Sequence, residues 1–254
     1  MDIYAVLPAY NERENLDPLL QNFAGLKDKL KSSDALHVVV VDDGSEDGSS
    51  AIVKRFQARL DLDLVQHPKN MGFPAALRTG LSRALELAKA KGLKEDDAAV
   101  VLDADNTQNP ELLPQMAEKI REGVDVAIAS RYAPGGSQTG VSALRVVLSQ
   151  ICGWILQIFF PVPNVRDYTS SYRMIRLKTL EKLSEETGGQ FYEAETFVCA
   201  CEFLFNLKDA GAKFTEVPLA LRYDLRKGAS KMNVLKTVIG YFGLMRRLRR
   251  KKIY

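Results

Sequence analysis

The chain has 254 residues, 46% of them hydrophobic and 26% charged, with 35 Lys and Arg against 32 Asp and Glu. These values exclude a disordered, collagen-like or coiled-coil chain and argue against a dedicated nucleic-acid binder; the length suits one large domain, or one plus a small appendage. The net charge of +3 is unevenly spread, because residues 246–252 (RRLRRKK) carry six positive charges and leave −3 for the rest.

The first 130 residues alternate strand and helix signals. Residues 3–7 form an apolar run of strand length, and 16–30 have helical spacing with Asn15 as the expected cap. Residues 37–41 (HVVVV) read as a buried parallel strand, 49–60 as a helix and 62–66 as a strand. A helix over 73–91, a strand over 98–102, a helix over 110–121 behind Asn109 and Pro110, and a strand over 124–129 follow. Strands separated by helices predict right-handed crossovers and a mostly parallel sheet covered on both faces. After Arg131 the rhythm breaks into a Gly/Pro/Ser loop (133–140), an apolar helix (141–160) and a turn (161–163). A polar cluster (167–173), a helix (193–210) and strand signals (213–223) come next. From Met232 onward the chain is amphipathic, with Leu235, Val238, Ile239, Phe242 and Met245 on one helical face.

Cys152, Cys199 and Cys201 form no metal-ligand spacing, have no His nearby and are odd in number, which favours buried thiols and a reducing cytosol. No signal peptide is visible at the N-terminus. Residues 146–162 are apolar, but they are short for a span and include Ser149, Gln150, Gln157 and Pro161.

In an open parallel sheet, ligands bind beyond the carboxyl ends of the strands. Polar residues collect there four times, as 8–12 (PAYNE), 42–45 (DDGS), 103–105 (DAD) and 130–132 (SRY). Asp103 and Asp105 stand two apart at a strand end, so both carboxylates reach one side. Mg²⁺ or Mn²⁺ is typically held by one or two carboxylates with water and substrate phosphates, so the pair suits a metal on a diphosphate; solvated turn or cap aspartates are the plain alternative. Neither dinucleotide- nor P-loop-type glycine motifs occur. A Ser-His-Asp hydrolase is disfavoured, since the only histidines are His37 and His67 and there is no G-x-S-x-G.

Taken together, the segments 7–16 (LPAYNERENL), 38–49 (VVVVDDGSEDGS), 70–80 (NMGFPAALRTG), 101–113 (VLDADNTQNPELL), 129–136 (ASRYAPGG), 167–176 (DYTSSYRMIR) and 216–231 (EVPLALRYDLRKGASK) resemble the family 2 glycosyltransferases of GT-A fold. The nearest subgroup is that of the dolichyl-phosphate mannose synthase-like enzymes. The resemblance implies an α/β, Rossmann-like, mostly parallel sheet with a C-terminal helical and β extension on the acceptor side. It implies a catalytic domain over 1–231, with a nucleotide-sugar half (1–130), an acceptor half (131–231) and a basic amphipathic tail (232–254). Pro8, Tyr10, Glu12, Val41 and Asp43 would then line the base and ribose, and Asn70, Gly72 and Gly80 would pass under the nucleotide. Asp103, Ala104 and Asp105 would hold the metal and sugar diphosphate, while Arg131 and Lys231 would offset diphosphate charge. Arg145, with Ser149 one turn on, would meet an acceptor phosphate, and Asp167, Ser170 and Tyr172 would lie near the sugar.

Three positions depart from the family pattern: Thr107 stands where a Gln is usual, with Gln108 next; Ser171 replaces a glycine; and Leu225 replaces an arginine that stands one later, as Arg226. A fourth departure is global: no transmembrane helices are expected after the catalytic segment. The leading expectation is a metal-dependent inverting transferase moving a hexose, mannose or glucose, from a GDP- or UDP-sugar to a polyprenyl phosphate. It would work at the cytosolic membrane face, held peripherally by the apolar helix with Trp154, Phe159 and Phe160 and by the basic tail. The alternative is a soluble transferase acting on a sugar hydroxyl, with Asp167 as base; a non-catalytic or nucleotidyl-transferring relative is a third. The apolar helix read instead as core or as a homodimer contact leaves the tail solvated.

Overall fold

The computed structural model describes residues 1–26, 29–228 and 234–251. Its centre is a seven-stranded sheet in the order β3-β2-β1-β4-β7-β5-β8. The strands are β1 (Asp2–Ala9), β2 (Ala35–Asp42), β3 (Asp61–Gln66), β4 (Ala98–Val101), β5 (Val126–Ser130), β7 (Arg173–Arg176) and β8 (Phe214–Pro218). All pairings are parallel except those of β7, which runs antiparallel to β4 and β5. The carboxyl ends of β1, β2, β4 and β5 therefore share one edge of the sheet. A separate pair, β6 (Ser137–Thr139) with β9 (Ala220–Arg222), lies in the second half of the chain.

Helices cover both faces. α1 (Arg13–Gly25), α2 (Ser49–Phe56) and α4 (Leu113–Arg121) pack on one side, where Leu16, Phe23, Val53 and Met116 join the alternating β1 and β2 residues Ile3, Ala5 and Val38. On the other side lie α3 (Phe73–Ala90), α5 (Ala143–Phe159), α6 (Leu177–Thr187), α7 (Cys199–Asp209) and α8 (Val234–Lys251). α3 crosses closest at Gly80, where a side-chain carbon would run into Val6 and Val41. α8 docks on this body through fully buried Leu244 and nearly buried Leu248, and Arg247 pairs with Glu202 of α7 at 3.0 Å.

The strand–helix alternation of the first half is as the sequence predicts. Three local expectations differ. α1 begins at Arg13, and Asn15 is no cap: its carboxamide turns inward and takes up Glu12 and Lys227. The helix expected over 193–210 starts only at Cys199. β7 and α6 had no counterpart in the sequence reading, because RMIR carries an arginine at each end of a four-residue strand. Burial makes that possible here. Arg173 donates to the carbonyls of Ala200 and Tyr168, and Arg176 pairs with Asp96 at 2.9 Å.

Candidate active site

One cavity of about 820 Å³ opens at the carboxyl edge of the sheet. Pro8, Tyr10, Glu12, Asp43, Gly72, Asp103, Ala104 and Asp105 line its polar end. Arg131, Arg145, Ser149 and Ser170 also face it, and beyond them the wall turns apolar, with Leu148, Ile151 and Ile155 of α5 facing Val238, Phe242 and Met245 of α8. The cavity is thus a charged pocket that continues into a greasy groove between two helices.

At the polar end, the loop after β4 presents the two aspartates. Gln108 spans Asp103, accepting from its backbone N–H at 3.0 Å and donating to its carboxylate at 3.0 Å, and the Ser171 hydroxyl donates to the other oxygen at 3.1 Å. The Thr107 hydroxyl donates to Asp105 Oδ1 at 2.7 Å, and Arg226 donates to Asp105 Oδ2 at 2.6 Å. Thr107 and Ser171, two of the positions where the chain departs from the family pattern, thus converge on the acidic pair, as do Gln108 and Arg226, each next to such a position. Burial, reinforced by the neighbouring Asp105 charge, pushes the Asp103 carboxyl up to about 7. A carboxylate so destabilised as an anion, with a second one two residues away, is what a divalent cation would relieve, and the pair fits Mg²⁺ or Mn²⁺ with the rest of the shell drawn from water and phosphate. Among the described residues no third acidic, His or Cys ligand joins them.

The Asp43 carboxylate orders the loop before α3. It accepts from the backbone N–H groups of Met71 at 2.9 Å and Gly72 at 2.8 Å, and His67 Nδ1 lies 2.7 Å from it. A carboxylate offers about four lone-pair sites, so roughly one remains on Oδ2 for a ligand donor. His67 closes the chain of contacts with Nε2 3.0 Å from the Thr79 hydroxyl. Gly72 sits at φ +89°, a left-handed conformation that glycine adopts without strain.

Several expected roles need correction. Val41 is fully buried against Val39 and Ala76 and does not line the cavity. Asp167, proposed as a base, is fully buried, and both its oxygens receive the Arg131 guanidinium, at 2.7 and 2.8 Å. Burial opposes ionisation, yet the Arg131 charge and hydrogen bonds hold the Asp167 carboxyl below its ordinary range, so it is a poor proton acceptor. For the same reason Arg131 brings little net charge to a diphosphate: its other contacts are the Thr169 hydroxyl and the Tyr132 ring. Ser170 spends its hydroxyl proton on the Ala129 carbonyl at 2.8 Å. Lys231 lies outside the described residues. Arg145 and Ser149 do face the cavity, with Arg145 donating to the Tyr223 hydroxyl at 3.0 Å and Ser149 3.1 Å from the Thr169 hydroxyl.

The sequence reading missed the segment ahead of α7. Glu195, Thr196 and Phe197 line the cavity, and Phe197 stacks on Phe73 at 4.8 Å between ring centres. Only the apolar spacing of α7 was legible there; the ring contact joins residues 124 apart in the chain.

The family model described as Glycosyl transferase family 2 matches residues 4–184. A dolichol-phosphate mannosyltransferase of Pyrococcus furiosus is 28% identical over 249 residues, which cover 98% of this chain and 64% of that protein. A polyprenol monophosphomannose synthase of Mycolicibacterium smegmatis is 29% identical over 229 residues, 90% of this chain and 80% of that one. These relatives bear out the resemblance to the dolichyl-phosphate mannose synthase-like subgroup. A glucosyl-3-phosphoglycerate synthase of Mycobacterium tuberculosis, solved with Mn²⁺, uridine diphosphate and glucosyl-3-phosphoglycerate, superposes with a TM-score of 0.62 at 19% identity, over 94% of this chain and 75% of that one. That likeness shows the fold, which is GT-A.

Proposed function

The chain belongs to glycosyl transferase family 2, and on that footing we propose that it moves a mannosyl group from a nucleotide-sugar to a polyprenyl phosphate. The observation that carries this reading is the amphipathic cavity. Its acidic end suits a metal-bound sugar diphosphate, and its apolar end, between α5 and α8, suits an isoprenoid chain. Arg145, which also lines the cavity, supports a phosphate joining the two.

In the reaction, an acceptor phosphate oxygen attacks the anomeric carbon from the face opposite the diphosphate. The new carbon–oxygen bond forms as the old one breaks, and the nucleoside diphosphate leaves with the electron pair, so the configuration inverts. A phosphate is already anionic and needs no base, which agrees with Asp167 being committed to Arg131. Asp103 and Asp105 would hold a divalent ion, which would supply positive charge against the departing diphosphate. Arg145 orients the acceptor, and such positioning turns a two-body encounter into a near-unimolecular step. Asp43, through Met71 and Gly72, fixes the loop under the nucleotide.

The outer surface supports work at a bilayer. On α5, Leu144 is 69% exposed, Trp154 63% and Ile158 74%, and Phe242 of α8 is 66% exposed. Exposed Arg246, Arg249 and Arg250 follow on α8. An apolar helix face beside basic side chains matches peripheral attachment to an anionic leaflet; no helix among the described residues is long and apolar enough to cross a membrane. The test is incubation of purified protein with Mg²⁺ or Mn²⁺, a panel of GDP- and UDP-hexoses, and a short polyprenyl phosphate. A glycosyl polyprenyl phosphate with released nucleoside diphosphate is expected. Turnover only with sugar acceptors overturns the reading.

A further inference from the structure

The segment from Arg222 to Lys227 lies across the acidic end of the cavity, and it is stitched down at several points. The Arg222 N–H donates to the Thr107 carbonyl at 3.0 Å. The Asn15 carboxamide takes both the N–H and the carbonyl of Lys227, each at 2.9 Å, and donates to Glu12 at 2.6 Å. From this fixed backbone the Arg226 side chain reaches inward. It lies 2.6 Å from Asp105, 3.5 Å from Glu12 and over the Tyr223 ring at 5.6 Å, with only 11% of the side chain exposed.

The atom that Arg226 holds, Asp105 Oδ2, belongs to one of the two carboxylates best suited to a divalent ion. A guanidinium and a divalent cation compete for it, because their like charges repel strongly at close range in a partly desolvated pocket. Asn15 anchors Lys227 next door, so an exchange of partners asks only the long Arg226 side chain to move. A diphosphate arriving with the metal offers this arginine a bidentate anionic partner in place of the one it loses.

We propose that Arg226 is a resident counter-cation of Asp105 that is exchanged for the divalent ion when the donor binds and is then passed to the donor diphosphate. Metal and nucleotide therefore bind cooperatively, and the metal alone binds weakly. The proposal rests on the reading of Asp103 and Asp105 as the metal and diphosphate site.

The test counts free Mn²⁺ by electron paramagnetic resonance, with no substrate turnover, for the full chain with Mn²⁺ alone and with Mn²⁺ plus GDP or UDP. In the wild type, a nucleoside diphosphate should raise Mn²⁺ affinity at least tenfold. Arg226→Gln and Arg226→Met, which remove the competing charge, should bind Mn²⁺ alone at least fivefold more tightly and lose most of the nucleotide enhancement. Arg226→Lys, which keeps the charge, should bind Mn²⁺ alone as weakly as the wild type. A merely structural arginine would instead give weaker Mn²⁺ binding in every variant, and equal or weaker binding of Mn²⁺ alone by both neutral variants overturns the proposal. Wild-type protein that binds no Mn²⁺ with either nucleotide overturns both the proposal and the site reading beneath it.

Discussion

Replacing Arg131 separates a structural ion pair from a donor-binding cation. Asp167 is fully buried, and Arg131 supplies two of its hydrogen bonds from the side chain. Arg131→Met keeps an unbranched apolar side chain but loses the guanidinium over Tyr132 and leaves a buried carboxylate without its countercharge, a change that costs about 3–5 kcal/mol. Three backbone N–H groups still reach Asp167, from Arg131, Thr169 and Ser170 at 3.1, 3.3 and 3.1 Å, which argues for the lower figure. At about 2–4 °C per kcal/mol for a chain of this size, a loss of roughly 3 kcal/mol lowers Tm by about 6–12 °C. The sign with pH follows from the pairing. In the wild type the Asp167 carboxyl is held low, so its contribution is present above about pH 4, the unfolded value, and is lost as pH falls through the lower folded value. Without Arg131, burial raises the folded value instead, so the variant's deficit is largest at pH 8 and shrinks towards pH 5, where the acid protonates. Urea melts at several pH values read this directly, and adding Asp167→Asn to Arg131→Met should recover most of the loss. A stability loss under about 1 kcal/mol, with weakened nucleotide binding, would show that Arg131 serves the donor rather than Asp167.

Asp105→Ala should lower turnover at least about a hundredfold, as loss of a key electrostatic element does, with an unchanged circular dichroism spectrum; full activity in excess chelator contradicts the metal reading. Arg145→Ala should raise the KM for polyprenyl phosphate at least about tenfold, the effect of losing a charge-assisted contact of more than 1.4 kcal/mol, while nucleotide-sugar binding measured by calorimetry stays within twofold. Equal losses for donor and acceptor would assign Arg145 to the donor side. Trp154→Asp with Ile158→Asp, both on the exposed face of α5, should abolish sedimentation with anionic vesicles at low salt without lowering Tm; unchanged sedimentation, or wild-type protein that stays in the supernatant, refutes attachment through this face.

What was legible in the sequence and what was not divides along physical lines. HVVVV at 37–41 announces a buried strand because β-branched residues pack well in a sheet covered on both faces. The motifs at strand ends announce a ligand edge because parallel topology gathers those ends together. Asp103 and Asp105 are two residues apart, so their joint function can be read locally. β7 stays hidden because Arg173 and Arg176 look like surface residues until carbonyls and carboxylates around them are known.

Charge assignments were the least legible part of the site, because the net effect of a charge depends on a partner distant in sequence. Arg131 reads as a cation for phosphate, and Asp167 as a free base, until a gap of 36 residues closes and each cancels the other. Asp43 reads as an open acceptor until His67, Met71 and Gly72 fill most of its capacity. Arg226 reads as a misplaced family arginine, yet a gap of 121 residues closes to set it on Asp105. A motif fixes which residue types meet at the edge of the sheet. Which of their charges reach a substrate is decided by the pairs they form there: Arg131 is spent on the buried Asp167, whereas Arg145 donates to the neutral Tyr223 hydroxyl and Arg226 holds an aspartate suited to a metal, so Arg145 and Arg226 are the arginines whose removal should change ligand affinity most directly.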